Sequence, residues 1–315
     1  MEIFINLFLL FLGLVCVIQG SDWFVEGAVD LSHKFKINPK LIGLTLVAVG
    51  TSLPEITITI IAASQGSTGL VVGNIFGSNV FNILAVAGVS ALFGKVYLEK
   101  NFFKLEIVTL LLVNLLLLGI GIIFKSFNFV TSFLLLLVAG LYFYKVLSDK
   151  KINHQANIKA ERSLGKNILL ITTGIGLLAV GSRLSVDFAT KIAEIFNLAE
   201  SFVGVGILAV GTGLPELTTS LNAAKKGHHE LSFGNILGSN VVNLTVVLAI
   251  GSGITNLALS PANLLEIALT LLTAILFFGI LLVPQRFQLK SRDGLVLIAA
   301  YILYFVLVVN MGRLG

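Results

Sequence analysis

Charged residues are scarce in this sequence. Asp, Glu, Lys and Arg make up only 12% of its 315 residues, while 56% are hydrophobic, and the mean hydropathy is +1.00. A soluble domain has about 25% charged residues, so this scarcity excludes an ordinary soluble protein. Residues 107–124 and 294–312 carry no charge at all, and each run is close to the roughly 20 residues that a spanning helix needs. The composition therefore predicts an all-α membrane protein that spans the lipid bilayer several times.

Cysteine and histidine are also scarce. Cys16 is the only cysteine, so no disulfide can form within the chain, and we expect a buried, inert thiol. All four histidines fall in predicted loops, which excludes a soft-metal centre: His33, His154, His228 and His229. No nucleotide-binding loop and no nucleophile–base pair is present, so we expect neither an enzyme nor a bound cofactor. The basic residues are confined to loops, and they indicate no nucleic-acid partner; no obligate protein partner is evident.

The sequence does contain an internal duplication. Residues 50–55 (Gly-Thr-Ser-Leu-Pro-Glu) are nearly repeated at 211–216 (Gly-Thr-Gly-Leu-Pro-Glu), and residues 73–82 match residues 234–243 in the pattern Gly-Asn-Ile-x-Gly-Ser-Asn-Val-x-Asn. The offset is 161 residues in both cases. A duplicated, Pro-broken, acid-bearing segment in a membrane protein indicates a cation site between two repeats.

Ten apolar segments are predicted to span the membrane. They are residues 2–20, 38–65, 69–93, 102–124, 127–147, 164–182, 199–225, 230–254, 263–284 and 294–312. Five belong to a first half, residues 1–147, and five to a second half, residues 164–315, within one membrane domain; residues 148–163 form the polar loop between the halves. Because five is odd, the second half must enter the membrane from the opposite side, so the two repeats are predicted to be inverted.

The loop charges support this topology independently. The loop after the first helix carries Lys34, Lys36 and Lys40, whereas its counterpart near residues 195–201 has no basic residue. All Lys and Arg residues lie on one side of the predicted topology except four: Lys125, Arg183, Lys191 and Arg313. By the positive-inside rule the basic side is cytoplasmic. The chain is therefore predicted to be a multi-pass protein of the cell membrane with both termini extracellular and the central loop cytoplasmic.

Glu55 and Glu216 are the two acidic residues predicted near the middle of a span. An ionised carboxylate there costs at least about 2.5–3.5 kcal/mol, and packing explains such a cost poorly at two matched positions. The alternative is a neutral, protonated Glu that is hydrogen-bonded to a neighbour. The matched positions favour a functional site.

Pro54 and Pro215 are predicted to break the helices that carry these glutamates. Each proline lacks an N–H and clashes with the carbonyl four residues back, which should free carbonyls around residues 48–51 and 209–212. Free carbonyls in a membrane are tolerated only where they are buried or line a cavity. Carboxylate, hydroxyl and carbonyl oxygens together are the ligands of a hard cation such as Ca²⁺ or Na⁺.

The second motif adds small and polar residues. Its glycines recur at four-residue spacing, for which close helix packing is the expected role: Gly73, Gly77, Gly234 and Gly238. Its Ser/Asn pairs each share one helix face and are expected at the site, because a polar group in mid-membrane needs partners: Ser78 with Asn82, and Ser239 with Asn243. The remaining polar candidates are weaker. Thr59 and Ser220 are expected to bond back to their own helix, and Asp22, Glu26 and Asp187 to be solvated or paired near helix ends.

The paired motifs resemble the α-repeats of the Ca²⁺/cation antiporter superfamily, and the closest resemblance is to its prokaryotic sodium/calcium exchangers. The resemblance covers nearly the whole chain, with four motif copies in the family's order. It implies exchange of Na⁺ for Ca²⁺ by alternating access, with three Na⁺ per Ca²⁺ and hence electrogenic Ca²⁺ export. It also implies that the first and sixth helices form a sliding gate.

The same resemblance implies a ligand for each ion. Glu55 and Glu216 would be shared Ca²⁺ ligands, assisted by the carbonyls of Thr51 and Thr212. The flanking Na⁺ sites would draw on five residues: Ala48, Ser52, Ser78, Ala209 and Ser239. The central position would involve Asn82 and Asn243.

Two positions depart from the archaeal pattern of that family. Gly213 stands where the other repeat has Ser52, so one outer Na⁺ site would lose a hydroxyl. Asn243 stands where archaeal and potassium-dependent relatives often carry Asp, which argues against K⁺ dependence.

Two other functions compete with Na⁺/Ca²⁺ exchange. One is H⁺-coupled Ca²⁺ antiport with the two glutamates as proton carriers; relatives of that kind usually have an acid where this chain has Asn82 and Asn243. The other is a passive cation channel. A Pro-broken helix pair with one carboxylate per repeat favours a carrier over a pore.

Overall fold

A computed structural model describes residues 2–35, 37–93, 96–97, 104–148, 162–195, 209–282 and 288–311. These residues form helices, with four two-residue strands between them. The helices are α1 Glu2–Lys34, α2 Pro39–Thr51, α3 Leu53–Ser64, α4 Thr68–Phe93, α5 Lys104–Phe124, α6 Phe129–Ser148, α7 Leu164–Ile195, α8 Ala209–Thr212, α9 Leu214–Lys225, α10 His229–Ile254, α11 Pro261–Leu282 and α12 Ser291–Met311. The strands are β1 Val96–Tyr97, β2 Ser126–Phe127, β3 Leu257–Ala258 and β4 Gln288–Leu289.

The helices confirm an all-α membrane protein. Within the described ranges, eight helices are long and apolar enough to cross a membrane, and the bent pair of α2 and α3 makes a ninth if it counts as one span. The predicted span 199–225 lies partly outside the described residues, so its first part stays a prediction. Its second part forms α8 and α9.

Helices α1 and α7 are longer than the sequence predicted. They run to Lys34 and Ile195, whereas the predicted spans ended at residues 20 and 182. The prediction was wrong because it ended each helix where polar residues begin. Those polar residues have charged partners: Asp22 of α1 lies 2.8 Å from Lys226, which follows α9, and Arg183 pairs with Asp187 on α7 itself. Each helix therefore continues past its apolar part without leaving these charges isolated.

Helices α1 and α7 pack backbone to backbone through glycines. A Cβ atom on Gly20 would lie 2.8 Å from the carbonyl oxygen of Gly174, and one on Gly174 would lie 2.8 Å from the carbonyl oxygen of Gly20. A Cβ atom on Gly181 would lie 2.7 Å from the carbonyl oxygen of Gly13. Residue numbers rise along α1 as they fall along α7, so the two helices are antiparallel. They are too close for a residue larger than glycine at these contacts. Cys16 lies beside this contact and is half-buried, not fully buried as expected.

Helices α4 and α10 form the centre of the molecule. In the most apolar stretch of each, 89% of the residues are buried, while in the corresponding stretches of the other long helices at most 44% are buried. Both contain an unpredicted π-helical turn at matched positions, Phe81–Val86 and Asn243–Val247. Such turns often occur at functional sites. Both copies of the second repeated motif therefore lie on the two most buried helices.

The four short strands join the two halves of the chain. Strand β1 pairs antiparallel with β4, and β2 pairs antiparallel with β3. The first pair connects the segment between α4 and α5 with the segment between α11 and α12. The second connects the segment between α5 and α6 with the segment between α10 and α11. Each half therefore contributes one strand to each pair.

A buried ion pair anchors the start of α2. Lys40 Nζ lies 3.4 Å from Glu106 Oε1 in the first turn of α5, and the two side chains are 3% and 1% exposed. The prediction that Lys40 is a loop cation was wrong, since its side chain is enclosed between helices. A single sequence does not show which acidic residue pairs with it.

Candidate functional site

Both repeated Pro-Glu segments break their helices, as predicted. Helix α2 ends at Thr51 and α3 begins at Leu53 with Pro54 in its first turn, and the two helix axes differ by 43°. Helices α8 and α9 break in the same way at Gly213. The backbone angles agree closely: φ −81° and ψ 7° at Ser52, against φ −80° and ψ 0° at Gly213. Neither angle requires glycine, because φ is negative in both.

The carbonyl of Ala48 is not freed by this break. It accepts a hydrogen bond from the Ser52 N–H at 3.2 Å and lies 3.4 Å from the Ser239 hydroxyl, which donates to it. The prediction of free carbonyls from residue 48 onward was therefore wrong at Ala48, because the last turn of α2 persists up to Ser52. The carbonyl that loses its helical donor is that of Gly50, since Pro54 has no N–H. Ala209 is the first residue of α8, and its side chain is outside the described set.

Glu55 lies at the start of α3 and is fully buried. The Ser78 hydroxyl of α4 donates to Glu55 Oε1 at 3.4 Å, and the Thr212 hydroxyl of α8 also hydrogen-bonds to this carboxylate. Glu55 Oε2 has no hydrogen-bond partner among the described residues. The Glu55 carboxylate thus contacts hydroxyl groups of both halves of the chain, and its Oε2 atom remains available to a cation.

Glu216 has the matching arrangement with one additional bond. It is fully buried, and the hydroxyls of Thr51 and Ser239 lie beside it. The Ser52 hydroxyl also donates to Glu216 Oε1 at 3.2 Å, and Gly213 has no hydroxyl to do the same for Glu55. Glu216 Oε2 likewise lacks a partner within the described ranges. The two carboxylates interact electrostatically, so the structure brings both predicted glutamates into one cluster.

Asn82 and Asn243 lie at the π-helical turns of α4 and α10. They are 1% and 0% exposed, and neither amide has a hydrogen-bond partner for its oxygen or its nitrogen in the described part of the chain. An unpaired buried polar group costs about 1–3 kcal/mol. Four unsatisfied amide atoms and two carboxylate oxygens are therefore available to a ligand or water. No group of three or more His, Cys, Asp and Glu is found among the described residues, so the donors here are oxygens from mixed residue types.

Two asparagines that were not predicted at the site, Asn74 and Asn235, lie beside it. Asn74 Nδ2 donates to Thr59 Oγ1 at 3.2 Å, and at the matched place Asn235 Nδ2 donates to Ser220 Oγ at 2.9 Å. Thr59 and Ser220 therefore hold these amides, and the expectation that they only bond back to their own helix was wrong. The available signal was the Gly-Asn pair that opens both copies of the second motif.

Hydroxyls two positions earlier, on Thr57 and Thr218, do bond back to their own helices. The Thr57 hydroxyl donates to the Leu53 carbonyl at 2.9 Å, and the Thr218 hydroxyl donates to the Leu214 carbonyl at 2.8 Å. These two residues point away from the asparagines, which a helical period of 3.6 residues explains.

Three of the four glycines of the second motif can be compared with the packing role expected for them, and Gly77 stays a prediction. A Cβ atom on Gly234 would lie 2.8 Å from the Lys40 carbonyl oxygen, and one on Gly238 would lie 2.8 Å from the Ala48 Cβ. Close packing against α2 is thus confirmed for these two. A Cβ atom on Gly73 would meet nothing within 4 Å, so the packing role expected there is not observed.

The acidic residues of α1 are paired across the chain, one of the two outcomes expected. Glu26 Oε2 lies 2.9 Å from Arg162 Nη2, and Lys226 Nζ lies between Asp22 and Glu26 at 2.8 and 3.4 Å. Asp187 pairs with Arg183 at 3.6 Å on α7 itself.

The chain is similar to known membrane exchangers. Residues 5–147 and 166–310 match the model of the family described as sodium/calcium exchanger protein. A putative antiporter, CaxA, of Alkalimonas amylolytica is 34% identical over 309 residues, which cover 93% of this chain and 95% of the relative. The sodium/calcium exchanger MaX1 of Methanosarcina acetivorans is 26% identical, with 96% and 98% covered. The solved structure of the sodium-calcium exchanger NCX_Mj, soaked with Na⁺ and Sr²⁺, has a TM-score of 0.84 at 30% identity and covers 96% of this chain and 99% of that one.

Proposed function

The chain belongs to the sodium/calcium exchanger family, and from this premise we propose that it exchanges Na⁺ for Ca²⁺ across the cell membrane by alternating access. Members of this family are membrane transporters and not enzymes. The chain is thus a multi-pass cation antiporter of the Ca²⁺/cation antiporter superfamily. Na⁺ as the coupling ion, Ca²⁺ export as the direction and the ligand residues are the parts that we propose.

The observation that supports this function best is the pair of buried glutamates. Glu55 and Glu216 lie at matched helix breaks, each with hydroxyl groups of both halves beside it and one unpartnered oxygen among the described residues. The buried amide oxygens of Asn82 and Asn243 add neutral donors. Carboxylate, amide and hydroxyl oxygens are the ligands that Ca²⁺ and Na⁺ prefer.

The proposed Ca²⁺ ligands are the carboxylates of Glu55 and Glu216 with the carbonyls of Thr51 and Thr212. The proposed Na⁺ ligands are Ala48, Ser52, Ser78, Ala209 and Ser239, with Asn82 and Asn243 at the central position. The hydrogen bonds from Ser52 and Ser78 to the carboxylates, and from Ser239 to the Ala48 carbonyl, support this set.

The proposed scaffold has ten spanning helices in two inverted halves, residues 1–147 and 164–315, joined by a cytoplasmic loop at 148–163. The strand pairs support inversion. At the repeat offset, β1 corresponds to β3 and β2 corresponds to β4. The strands nevertheless pair the other way, β1 with β4 and β2 with β3. Inverted halves bring these partner loops to the same face, whereas direct repeats would separate them. Both termini are then extracellular, and inversion provides alternating access to one midplane site.

The charge of the site supports electrogenic exchange. Two carboxylates neutralise one Ca²⁺, whereas three Na⁺ would leave the site with one positive charge. One elementary charge that crosses the membrane is worth about 2.3 kcal/mol per 100 mV. The membrane potential would therefore drive net Ca²⁺ export.

Transport in proteoliposomes tests this function. We expect an imposed Na⁺ gradient to drive ⁴⁵Ca²⁺ uptake, and an imposed potential to change its rate, because the exchange carries net charge. Uptake driven by a pH gradient in Na⁺-free buffer would instead identify H⁺-coupled antiport. Ca²⁺ movement that only follows its own gradient would identify a channel, and either result would contradict Na⁺/Ca²⁺ exchange.

Replacing Gly213 by Ser tests the asymmetry of the site. The backbone angles at Gly213 match those of Ser52, so the new side chain requires no backbone change, and its hydroxyl would supply the donor that Glu55 lacks. We expect the Na⁺ concentration for half-maximal exchange to change about fivefold, the effect of one net hydrogen bond, with little change for Ca²⁺. The matched control is Ser52→Gly, which removes the existing donor. If Na⁺ dependence is the same in both variants and the wild type, these positions do not contribute to Na⁺ binding.

A further inference from the structure

The hydroxyl of Thr51 is held by an asparagine from the other half of the chain. Thr51 Oγ1 lies 3.1 Å from Asn235 Oδ1, and both residues are buried. Asn235 Nδ2 donates to Ser220 Oγ, so the amide oxygen is the atom that faces Thr51. An amide oxygen only accepts hydrogen bonds, and Thr51 must therefore be the donor.

The single proton of the Thr51 hydroxyl has several acceptors within reach, and the Asn235 amide oxygen at 3.1 Å is nearer than the Ala48 carbonyl oxygen at 3.4 Å. Thr51 also lies beside the Glu216 carboxylate and 3.3 Å from Ser239 Oγ. A hydroxyl has one proton and two lone pairs, so it serves one acceptor at a time. When the proton goes to Asn235, it does not go to Glu216, and the Glu216 carboxylate is left for a cation.

The matched asparagine of the first half lacks the equivalent bond. Asn74 Nδ2 donates to Thr59 Oγ1 and to the Glu55 carbonyl oxygen at 3.2 Å. Its Oδ1 atom has no hydrogen-bond partner among the described residues, although the side chain is only 4% exposed. Thr212, the counterpart of Thr51, lies beside the Glu55 carboxylate as Thr51 lies beside that of Glu216. The two halves thus have the same residues, and they differ in whether the asparagine oxygen accepts a hydrogen bond.

We propose that Asn235 and Asn74 are positioning residues that accept the Thr51 and Thr212 protons in turn, one in each access state of the transporter. The inference rests on the proposed exchange function. On this proposal the two repeats exchange their local hydrogen bonds when access alternates, so the bond made in one half here is made in the other half in the opposite state. The unpaired Asn74 Oδ1 atom is the acceptor for the Thr212 proton in that opposite state.

A double-mutant cycle tests the positioning role. Asn235→Leu removes the acceptor, and we expect it to raise the Ca²⁺ concentration for half-maximal exchange about fivefold, the effect of one net hydrogen bond. Thr51→Val removes the donor, and the double variant should be no weaker than Thr51→Val alone, because Asn235 acts through Thr51. Effects that multiply in the double variant would overturn the proposal, since they would indicate independent structural roles.

Thr218→Val is the matched control. Its hydroxyl bonds back to the Leu214 carbonyl on the same helix and is not a partner of Asn235, so half-maximal Ca²⁺ should change less than twofold. A change as large as that of Asn235→Leu would overturn the proposal, because it would show that any loss of a polar group near this helix has the same effect.

The alternation is tested from the two faces of oriented vesicles. Asn235→Leu and Asn74→Leu should weaken apparent cation affinity on opposite faces, and weakening on the same face would contradict alternation. If the wild type shows no Na⁺-driven Ca²⁺ uptake, the proposed function fails separately. The cycle is then measured as the Ca²⁺-dependent rise in the unfolding temperature of the purified proteins: non-additive losses support the positioning role, and additive losses overturn it.

Discussion

Replacing either Glu55 or Glu216 by Gln is expected to abolish Ca²⁺ flux. Each variant halves the negative charge of the cluster while keeping the size of the side chain, so a bound Ca²⁺ would retain one uncompensated charge in the membrane interior. An uncompensated charge there costs at least about 2.5–3.5 kcal/mol, which corresponds to a loss of about 100-fold or more in Ca²⁺ affinity. The measurement is ⁴⁵Ca²⁺ flux in proteoliposomes with matched protein content.

Glu266→Gln is the matched control for these two variants. Glu266 lies in the spanning helix α11, is partly buried and has an unpartnered Oε2 among the described residues, but its carboxylate lies beside Asn263 near the start of the same helix, and none of the hydrogen bonds among the described residues joins it to Glu55 or Glu216. We expect nearly wild-type flux. Full flux in both Glu55→Gln and Glu216→Gln would show that the cluster is not the transport site, while loss in all three variants would indicate a general defect of folding or insertion.

Replacing Glu106 by Gln is expected to destabilise the protein strongly. The variant leaves the Lys40 ammonium buried without its carboxylate at 3.4 Å. Breaking a buried ion pair by removing one partner costs about 3–5 kcal/mol. The measurement is the unfolding temperature of the purified protein in detergent, and Lys40 with Glu106 replaced together by Met and Leu should recover much of the loss, because no isolated charge remains.

The exposed pair Arg183–Asp187 is the internal control for this prediction. Its side chains are 73% and 48% exposed, and a surface ion pair contributes about 0–1 kcal/mol. Asp187→Asn should therefore leave the unfolding temperature nearly unchanged. An equally small effect of Glu106→Gln would show that water reaches the Lys40 side chain.

Much of the candidate site could be predicted because it is repeated. Glu55 and Glu216 stand out as matched carboxylates in apolar spans, and Pro54 and Pro215 indicate the helix breaks that the structure confirms. The ends of α1 and α7 could not be predicted in the same way. Their polar turns look like loop sequence until Asp22 and Glu26 are seen to meet Lys226 and Arg162.

The sequence by itself determined the membrane class, the two matched helix breaks and the identity of the charged residues, because these depend on local chemistry: scarcity of charge, a missing N–H and a carboxylate in an apolar run. Only the tertiary structure decided which groups meet. It paired Lys40 with Glu106, placed Ser52 on Glu216 and brought Asn235 to Thr51, residues that are far apart along the chain. Such contacts depend on how helices pack, and residues with the same local sequence, such as Asn74 and Asn235, differ in their bonds because their surroundings in the two halves differ.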